Sequence, residues 1–494
     1  MYFCERKPAI CGKNEYLCGQ KSTKMTTTIY KIQAPAMLRA KVRLPASKSI
    51  SNRAILMSAL ACRNGESGDF VSLLENLSDC DDTAAMLRAL ASLEERNARK
   101  EEGGRRNEDG GARGEEIVID VGATGTAMRF LTAFLAVSEG VFVLTGTERM
   151  KQRPIGVLVD ALRQLGAEID YLGETGFPPL RIVGKPLDGG MVEMSGEVSS
   201  QYVSALLMIA PVFRKGLEIK MIGDIVSRPY IDLTLWMMRE FGADADWLGD
   251  DTISVKSGTY RQRSCRVEND WTAASYWYEM VALTADENAE IRLSGLSEDS
   301  KQGDAVVRDI FAMLGVGTKF VSRKEEGETR KEERGTRNEE GGARNEEGGA
   351  RTEVVLRKNN RVAPRFDYDF VNSPDLVQTV AVTCAAKGIP FHFRGLQSLK
   401  IKETDRLEAL VSELRKFGFA IRIENGSELV WNGEHCEPTF EPIDTYDDHR
   451  MALSFAPLAL FFPELRIRHP QVVTKSYPNF WEELLRAKFI VHNS

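Results

Sequence analysis

The sequence predicts an α/β fold of two domains, and three observations carry that prediction. Six amphipathic helical patterns recur along the chain as DTAAMLRAL, LVDALRQLGAEI, LTLWMMREFGADA, VVRDIFAMLGVGT, LVSELRKFGFAIRI and FWEELLRAKFIV. Their apolar residues fall at helical spacing, and strand-like runs lie between them. Successive copies stand roughly 70 to 75 residues apart once loop insertions are set aside, too long for a solenoid repeat and about right for a βαβαββ unit. Six such units make two domains of three. Amphipathic helices ending at Gly are common, so any single copy carries little weight; the recurrence carries the argument.

Composition narrows the function classes. The 494 residues are 43% hydrophobic and contain no apolar run long enough for a membrane helix, which predicts a soluble globular chain. A net charge of −7 and a pI near 5.6 argue against broad nucleic-acid binding, which leaves a basic footprint. Any anion site must therefore be local. Eight cysteines form no Cys-x-x-Cys pair and are too sparse for a disulfide scaffold, so a reducing cytoplasm is the expected compartment.

Taken in order, residues 1–24 have neither the apolar core of a secretory signal nor the character of a transit peptide; they read as a disordered extension, with Met25 a candidate start. Cys4, Cys11 and Cys18 lack the close pairs or histidines of a metal site. The string LPASKSISNR, Leu44 to Arg53, then enters a helical pattern at Ile50, Ala54, Met57 and Ala61, with Ser49 and Arg53 on a neighbouring face. Lys48, two hydroxyls, a guanidinium and free backbone N–H groups converge there, as a phosphate or carboxylate site requires. An ordinary capped helix with solvated charges would carry the same string, so the rest of the chain must decide.

Two stretches, about 94–116 and about 322–352, are dominated by Glu, Arg, Lys, Asn and Gly. NEDGGAR begins at Asn107, and NEEGGAR begins at both Asn338 and Asn345. Both stretches are expected to be disordered surface insertions, each lengthening a helix-to-strand loop.

Further helix starts carry polar groups. The strand pattern Ile117–Val121 leads into GATGTAMR and an apolar helix over Phe130–Val137; this loop matches neither the dinucleotide nor the P-loop signature. In ERMKQRP, Pro154 is expected to open a helix with Arg153 beside its N-terminus. VSSQYV precedes an apolar helix over Ala205–Ala210, and Pro229 in IVSRPY suits a first turn; Ser199, Ser200 and Ser227 could donate to phosphate or merely cap. In KIKETDR, Lys402 and Glu403 could act as base and acid if burial and neighbouring charges split their pKa values. Asp375, Arg450 and Lys475 each sit where a loop meets a helix. Asp447, Asp448 and His449 are adjacent, which suits one metal ion poorly; they read as positioning Arg450.

LPASKSISNRA, GTAMR, RMKQRPIG, SSQYVSALLM, SRPYID, KIKETDRL and DDHRMA together closely resemble the 5-enolpyruvylshikimate-3-phosphate synthase family, the 3-phosphoshikimate 1-carboxyvinyltransferases, in that family's order. The resemblance runs from about Thr28 to Leu485 apart from the two insertions. It implies an inside-out α/β barrel of two domains, each of three βαβαββ units, with 25–47 plus 268–494 forming one and 48–267 the other. By resemblance, shikimate 3-phosphate would meet Lys48, Ser49, Arg53, Ser199, Ser200, Gln201, Ser227, Tyr230, Asp375 and Lys402. Phosphoenolpyruvate would meet Lys48, Gly125, Arg153, Gln201, Arg406, Arg450 and Lys475. Asp375 and Lys402 are the candidate bases, Glu403 the acid, and Lys48 a stabiliser of developing charge. The resemblance implies a monomer acting on two small molecules, with no metal, organic cofactor, nucleic acid or membrane partner.

The chain departs from the family's pattern at Ala123, where Asn is common, at Phe130, where Pro is common, and at Ser398, where Asn is common. Ala123 removes one possible donor toward phosphoenolpyruvate. The sister transferase acting on UDP-N-acetylglucosamine typically carries a Lys-Asn pair near its start, whereas Lys48-Ser49 favours shikimate.

Overall fold

The computed structural model describes residues 28–62, 69–102, 116–322 and 352–493. Among the described residues four four-stranded sheets share one strand order. In the first, Ile117–Asp120 lies parallel to Gly140–Thr145, which pairs antiparallel with Leu180–Gly184 and through it with Glu168–Tyr171. The same order recurs as Gly190–Ser195, Leu217–Ile222, Thr252–Val255, Ala245–Trp247, and again as Phe366–Asp369, Phe391–Arg394, Glu428–Trp431, Arg422–Glu424. It also recurs as Arg39–Val42, Glu290–Ser294, Thr352–Val362, Leu314–Ser322, which joins the chain's start to its second half. A parallel pair close in sequence needs a crossover, which Gly125–Ala136, Ser200–Ile209 and Val377–Ala386 supply, while the recurring amphipathic helices follow the second strand. The N-terminal strand Ile29–Gln33 lies between Leu465–Arg468 and Ile490–Asn493, so both ends of the described chain close one sheet.

Strands such as Leu180–Gly184 alternate buried and half-buried residues, as sheets with one covered face do. The helices that matter for the site are α1 (Lys48–Cys62), α2 (Asp81–Glu102), α3 (Gly125–Ala136), α4 (Ser200–Ile209), α5 (Arg228–Glu240), α6 (Trp271–Leu283), α7 (Arg406–Arg415) and α8 (His449–Phe455). Every residue of α1 from Ile50 to Ala61 and every residue of α3 is buried. Helices buried on all sides belong at the centre of a packed unit.

Two hydrophobic cores form. One gathers Ile32–Leu44 with Trp271–Phe489, and the other runs from Ala46 to Val267. The two passages between them lie side by side: Ser47 N–H donates to Glu268 O at 2.8 Å, Asp270 N–H to Pro45 O at 2.9 Å, and Ala46 bridges Asn269. Lys48 follows this paired strap directly.

Several expectations need correction. Residues 94–102 continue α2 instead of forming a loop, because Glu, Arg and Lys are good helix formers. The rest of that insertion, 103–115, and the extension 1–24 lie outside the described residues. The second insertion joins strand to strand, because the helix Val307–Ala312 stops early and Leu314–Ser322 pairs with Thr352–Val362. Alternation in GVGTKFV favours that strand, and Gly315, at φ +100°, takes up the irregularity in register between Leu314 and Val316. Segment 323–351 likewise lies outside the described residues. The helix expected at Pro154 begins at Gly156, and those expected at Phe130 and Ala205 begin earlier, at Gly125 and Ser200.

Ser322 and Thr352 face each other in register, so a short Asn-Gly turn can replace 323–351 without shifting the hairpin. The shortened chain is expected to fold and to retain its turnover. An insoluble or inactive product in a melting and turnover comparison would contradict this.

Candidate active site

Between the two cores lies a cleft of about 330 Å³, and every candidate residue named from the sequence lines it. Helix starts from both cores meet there, so each supplies polar groups that the hydrophobic interior would reject.

On the Ala46–Val267 side, Lys48 opens α1 with its Nζ 3.9 Å from Asp82 Oδ2. Burial opposes the Lys48 charge, but Asp82, Cys80 and Glu403 together outweigh it and the pKa lies above its ordinary value. Arg53 is buried one turn further on. Its Nε donates to Thr234 Oγ1 at 2.7 Å, its Nη1 to Ser49 O at 2.9 Å and its Nη2 to Ser204 Oγ at 3.0 Å, while Phe130 lies 5.4 Å beneath the guanidinium. Among the described residues it has no carboxylate partner, and burial lowers its pKa to about 10. Gly125 opens α3 at a close approach: a Cβ there would stand 2.7 Å from Nη1 of both Arg129 and Arg153, whose guanidiniums would have to give way. Arg129 Nη1 also donates to Gln201 Oε1 at 3.0 Å.

Ser199 caps α4, accepting weakly from Gln201 N–H at 3.4 Å, and Ser200 is the first residue of that helix. Ser227 precedes α5 with φ +56°, a left-handed conformation that costs a residue with a side chain about 1–2 kcal/mol. Its N–H donates to Val371 O at 2.8 Å, across to the other core. The Tyr230 hydroxyl crosses the same junction to Asp304, 3.1 Å from each carboxyl oxygen. Burial, reinforced by Asp375, pushes the Asp304 carboxyl up to about 7.

The opposite wall is a network of charges around Arg406, whose side chain is 2% exposed. Its Nε donates to Asp448 Oδ2 at 2.7 Å, its Nη1 to Asp375 Oδ1 at 3.1 Å and its Nη2 to Glu403 Oε2 at 3.0 Å. Asp375 also accepts from Arg450 Nη2 at 2.7 Å and lies 3.8 Å from Lys402 Nζ. Burial would raise the Asp375 pKa, but Arg450, Lys402 and Arg406 hold it well below the usual carboxylate range. Glu403 accepts from Lys475 Nζ at 2.5 Å and lies 3.6 Å from Arg153. Burial opposes its charge too, yet Lys475, Arg406 and Arg153 keep its pKa far down. Lys402 moves the other way for a lysine: burial lowers its pKa, Arg406 adds to the fall, and Asp375 offsets only part.

Asp448 caps α8, accepting from Arg450 N–H at 2.9 Å as well as gripping Arg406. His449 beside it is buried; burial first, then Arg450 and Lys48, keep the imidazole neutral over ordinary pH. Among the described residues no three of His, Cys, Asp or Glu gather as a metal site, and no helix is long and apolar enough to cross a membrane.

Sequence reasoning missed Asp82, Arg129 and Asp304 as members of the cleft. Asp82 opens the first repeated helix pattern and Arg129 ends GTAMR, so both had a signal. Asp304 had none, because only folding brings its turn against α5.

The family model for EPSP synthase (3-phosphoshikimate 1-carboxyvinyltransferase) matches residues 32–484. A 3-phosphoshikimate 1-carboxyvinyltransferase of Bacteroides fragilis is 47% identical over 461 residues, covering 93% of this chain and 98% of the relative. One from Sulfurovum sp. is 36% identical, covering 90% and 96%. Among solved structures, an EPSP synthase of Acinetobacter baumannii superposes with a TM-score of 0.66 at 21% identity, covering 94% of this chain and all of that one. The enolpyruvyl transferase NikO of Streptomyces tendae gives 0.62 at 15%, covering 95% and 99%. These two share the fold, an α/β architecture of mixed sheets. With a match spanning nearly all of the sheets and both walls of the cleft, the chain belongs to the EPSP synthase (3-phosphoshikimate 1-carboxyvinyltransferase) family.

Proposed function

We propose that this chain transfers the enolpyruvyl group of phosphoenolpyruvate to the 5-hydroxyl of shikimate 3-phosphate, releasing phosphate, within the shikimate pathway of chorismate and aromatic amino acid biosynthesis. The observation that carries the assignment of roles is the contrast between neighbours: Lys402 has a lowered pKa beside Asp375, while Glu403 is gripped by Lys475 and Arg406.

Arg53, a buried cation with no carboxylate partner among the described residues, takes the shikimate carboxylate with Ser49. Ser199, Ser200 and Ser227 take its phosphate, and Tyr230 and Gln201 line the ring. Lys48, Gly125, Arg153, Gln201, Arg406, Arg450 and Lys475 surround phosphoenolpyruvate. Lys402 takes the 5-hydroxyl proton as that oxygen bonds to C2 of phosphoenolpyruvate, and the methylene carbon receives a proton from Glu403. The new methyl carbon then returns a proton to Glu403 as the C–O bond to phosphate breaks, which restores the enol double bond and releases phosphate, with Lys48 and the arginines steadying the charge. Asp375, held so firmly ionised, is the weaker base; it orients the ring hydroxyls and Lys402. Glu403 becomes a proton donor when phosphoenolpyruvate competes for Lys475 and Arg153, since losing those partners raises its pKa.

The fold that serves this chemistry is an inside-out barrel of two domains, 25–47 plus 268–494 and 48–267, each of three βαβαββ units. Two separate cores, one repeated strand order and helices buried on all sides support it. Closure of the domains on the cleft excludes water. The chain works as a cytoplasmic monomer.

Phosphate release is expected only when shikimate 3-phosphate and phosphoenolpyruvate are both supplied. Release with UDP-N-acetylglucosamine in place of shikimate 3-phosphate would overturn the reading. Gly125→Ala is expected to push the Arg129 and Arg153 guanidiniums aside and to raise KM for phosphoenolpyruvate about tenfold, equivalent to about 1.4 kcal/mol, with less effect on shikimate 3-phosphate. Steady-state kinetics check it, and an unchanged KM would show that the arginines do not depend on that gap.

A further inference from the structure

We infer that Asp304 is a positioning residue, fixing the Tyr230 hydroxyl across the junction between the two cores and, through Tyr230, the guanidinium of Arg53. The inference rests on the proposed function for the identity of the ligand.

Asp304 lies in the turn Gly303–Val306 and is 3% exposed. Its partners are hydroxyls: Tyr230, 3.1 Å from both oxygens, and Thr272 on Oδ2. The turn is pressed against the start of α5, since a Cβ on Gly303 would stand 2.7 Å from Pro229 Cβ. Tyr230 continues the chain of contacts. Its main-chain carbonyl accepts from Arg53 Nη2 at 3.4 Å and from Thr234 Oγ1 at 2.8 Å, and Thr234 is itself the acceptor for Arg53 Nε. The hydroxyl that Asp304 holds and the acceptors that orient Arg53 therefore belong to one turn of α5.

Stability alone is a poor account of Asp304. Among the described residues it forms no ion pair, and it faces Asp375 and Asp270, which oppose its charge, while Arg450 favours it. A carboxyl buried in that way costs free energy that an apolar residue would not. What it supplies is a two-point hold on a hydroxyl from the other core, which ties closure of the cleft to the wall that receives shikimate 3-phosphate.

Calorimetric titration of the full chain with shikimate 3-phosphate tests this. Asp304→Asn is expected to raise Kd about tenfold, the loss of one hydrogen bond to a charged group, while kcat at saturation stays within about twofold. In a Tyr230→Phe background the same change should alter Kd by less than about twofold, because contacting residues couple. Equal effects in both backgrounds, or a Kd unmoved by Asp304→Asn, would overturn the assignment. Should Asp304→Asn fail to fold, Thr272→Val replaces it in the same cycle, and the same two results would overturn the assignment. Absence of binding by the unmodified chain would overturn the functional reading, and this assignment with it.

Discussion

Lys402→Met is expected to lower turnover by about 10²–10⁴-fold, the usual contribution of a positioned general base, while the unfolding midpoint changes little. Lys402 can accept the hydroxyl proton only when neutral. Its burial lowers the pKa, so turnover should rise with pH through that lowered value and level off above it. The methionine side chain preserves the packing of the stem and removes the titration, so the rising limb should vanish with it. Glu403→Ala should lower turnover comparably by removing the proton for the methylene carbon. A pH profile of kcat for both variants decides the matter: normal turnover in both would refute the roles assigned to this pair, and a surviving limb in Lys402→Met would move the base elsewhere.

Arg406→Met should have the largest effect on stability, about 3–5 kcal/mol, as when one partner of a buried charge network is removed. Arg406 separates three carboxylates, Asp375, Glu403 and Asp448. Asp448 has no exposed surface, so removing the guanidinium leaves a buried carboxylate without its partner. Urea unfolding near neutral pH should show a clearly lower midpoint with an unchanged slope. A midpoint equal to that of the unmodified chain would mean that Arg450 and Lys475 already neutralise the cluster.

Much of the site was legible because its residues sit at helix starts, where sequence carries its strongest local signals. Pro229 lies in the first turn of α5, Asp405 caps α7, and Asp448 caps α8 beside Arg450. Each depends on contacts a few residues apart, which spacing alone can anticipate. Legibility failed where two local signals compete. Glu-rich and Arg-rich residues 94–102 read as an insertion by composition yet propagate α2, and VVRDIFAMLGVGT holds a short helix and the start of a strand. Asp304 was missed for another reason: nothing within its own turn distinguishes it, and Tyr230 reaches it from far along the chain.

The repeated α/β units, the helix starts and the cations and carboxylates that stand at them follow from periodicity and capping over a few residues, and so are written in the chain. Tertiary structure alone decided what charge each group carries. Lys402 and Glu403 are neighbours in the chain, yet burial lowers the pKa of the lysine while Lys475, Arg406 and Arg153 hold the glutamate ionised. Proton affinity depends on desolvation and on charges within a few ångströms, and here those charges come from segments that only the folded cleft brings together.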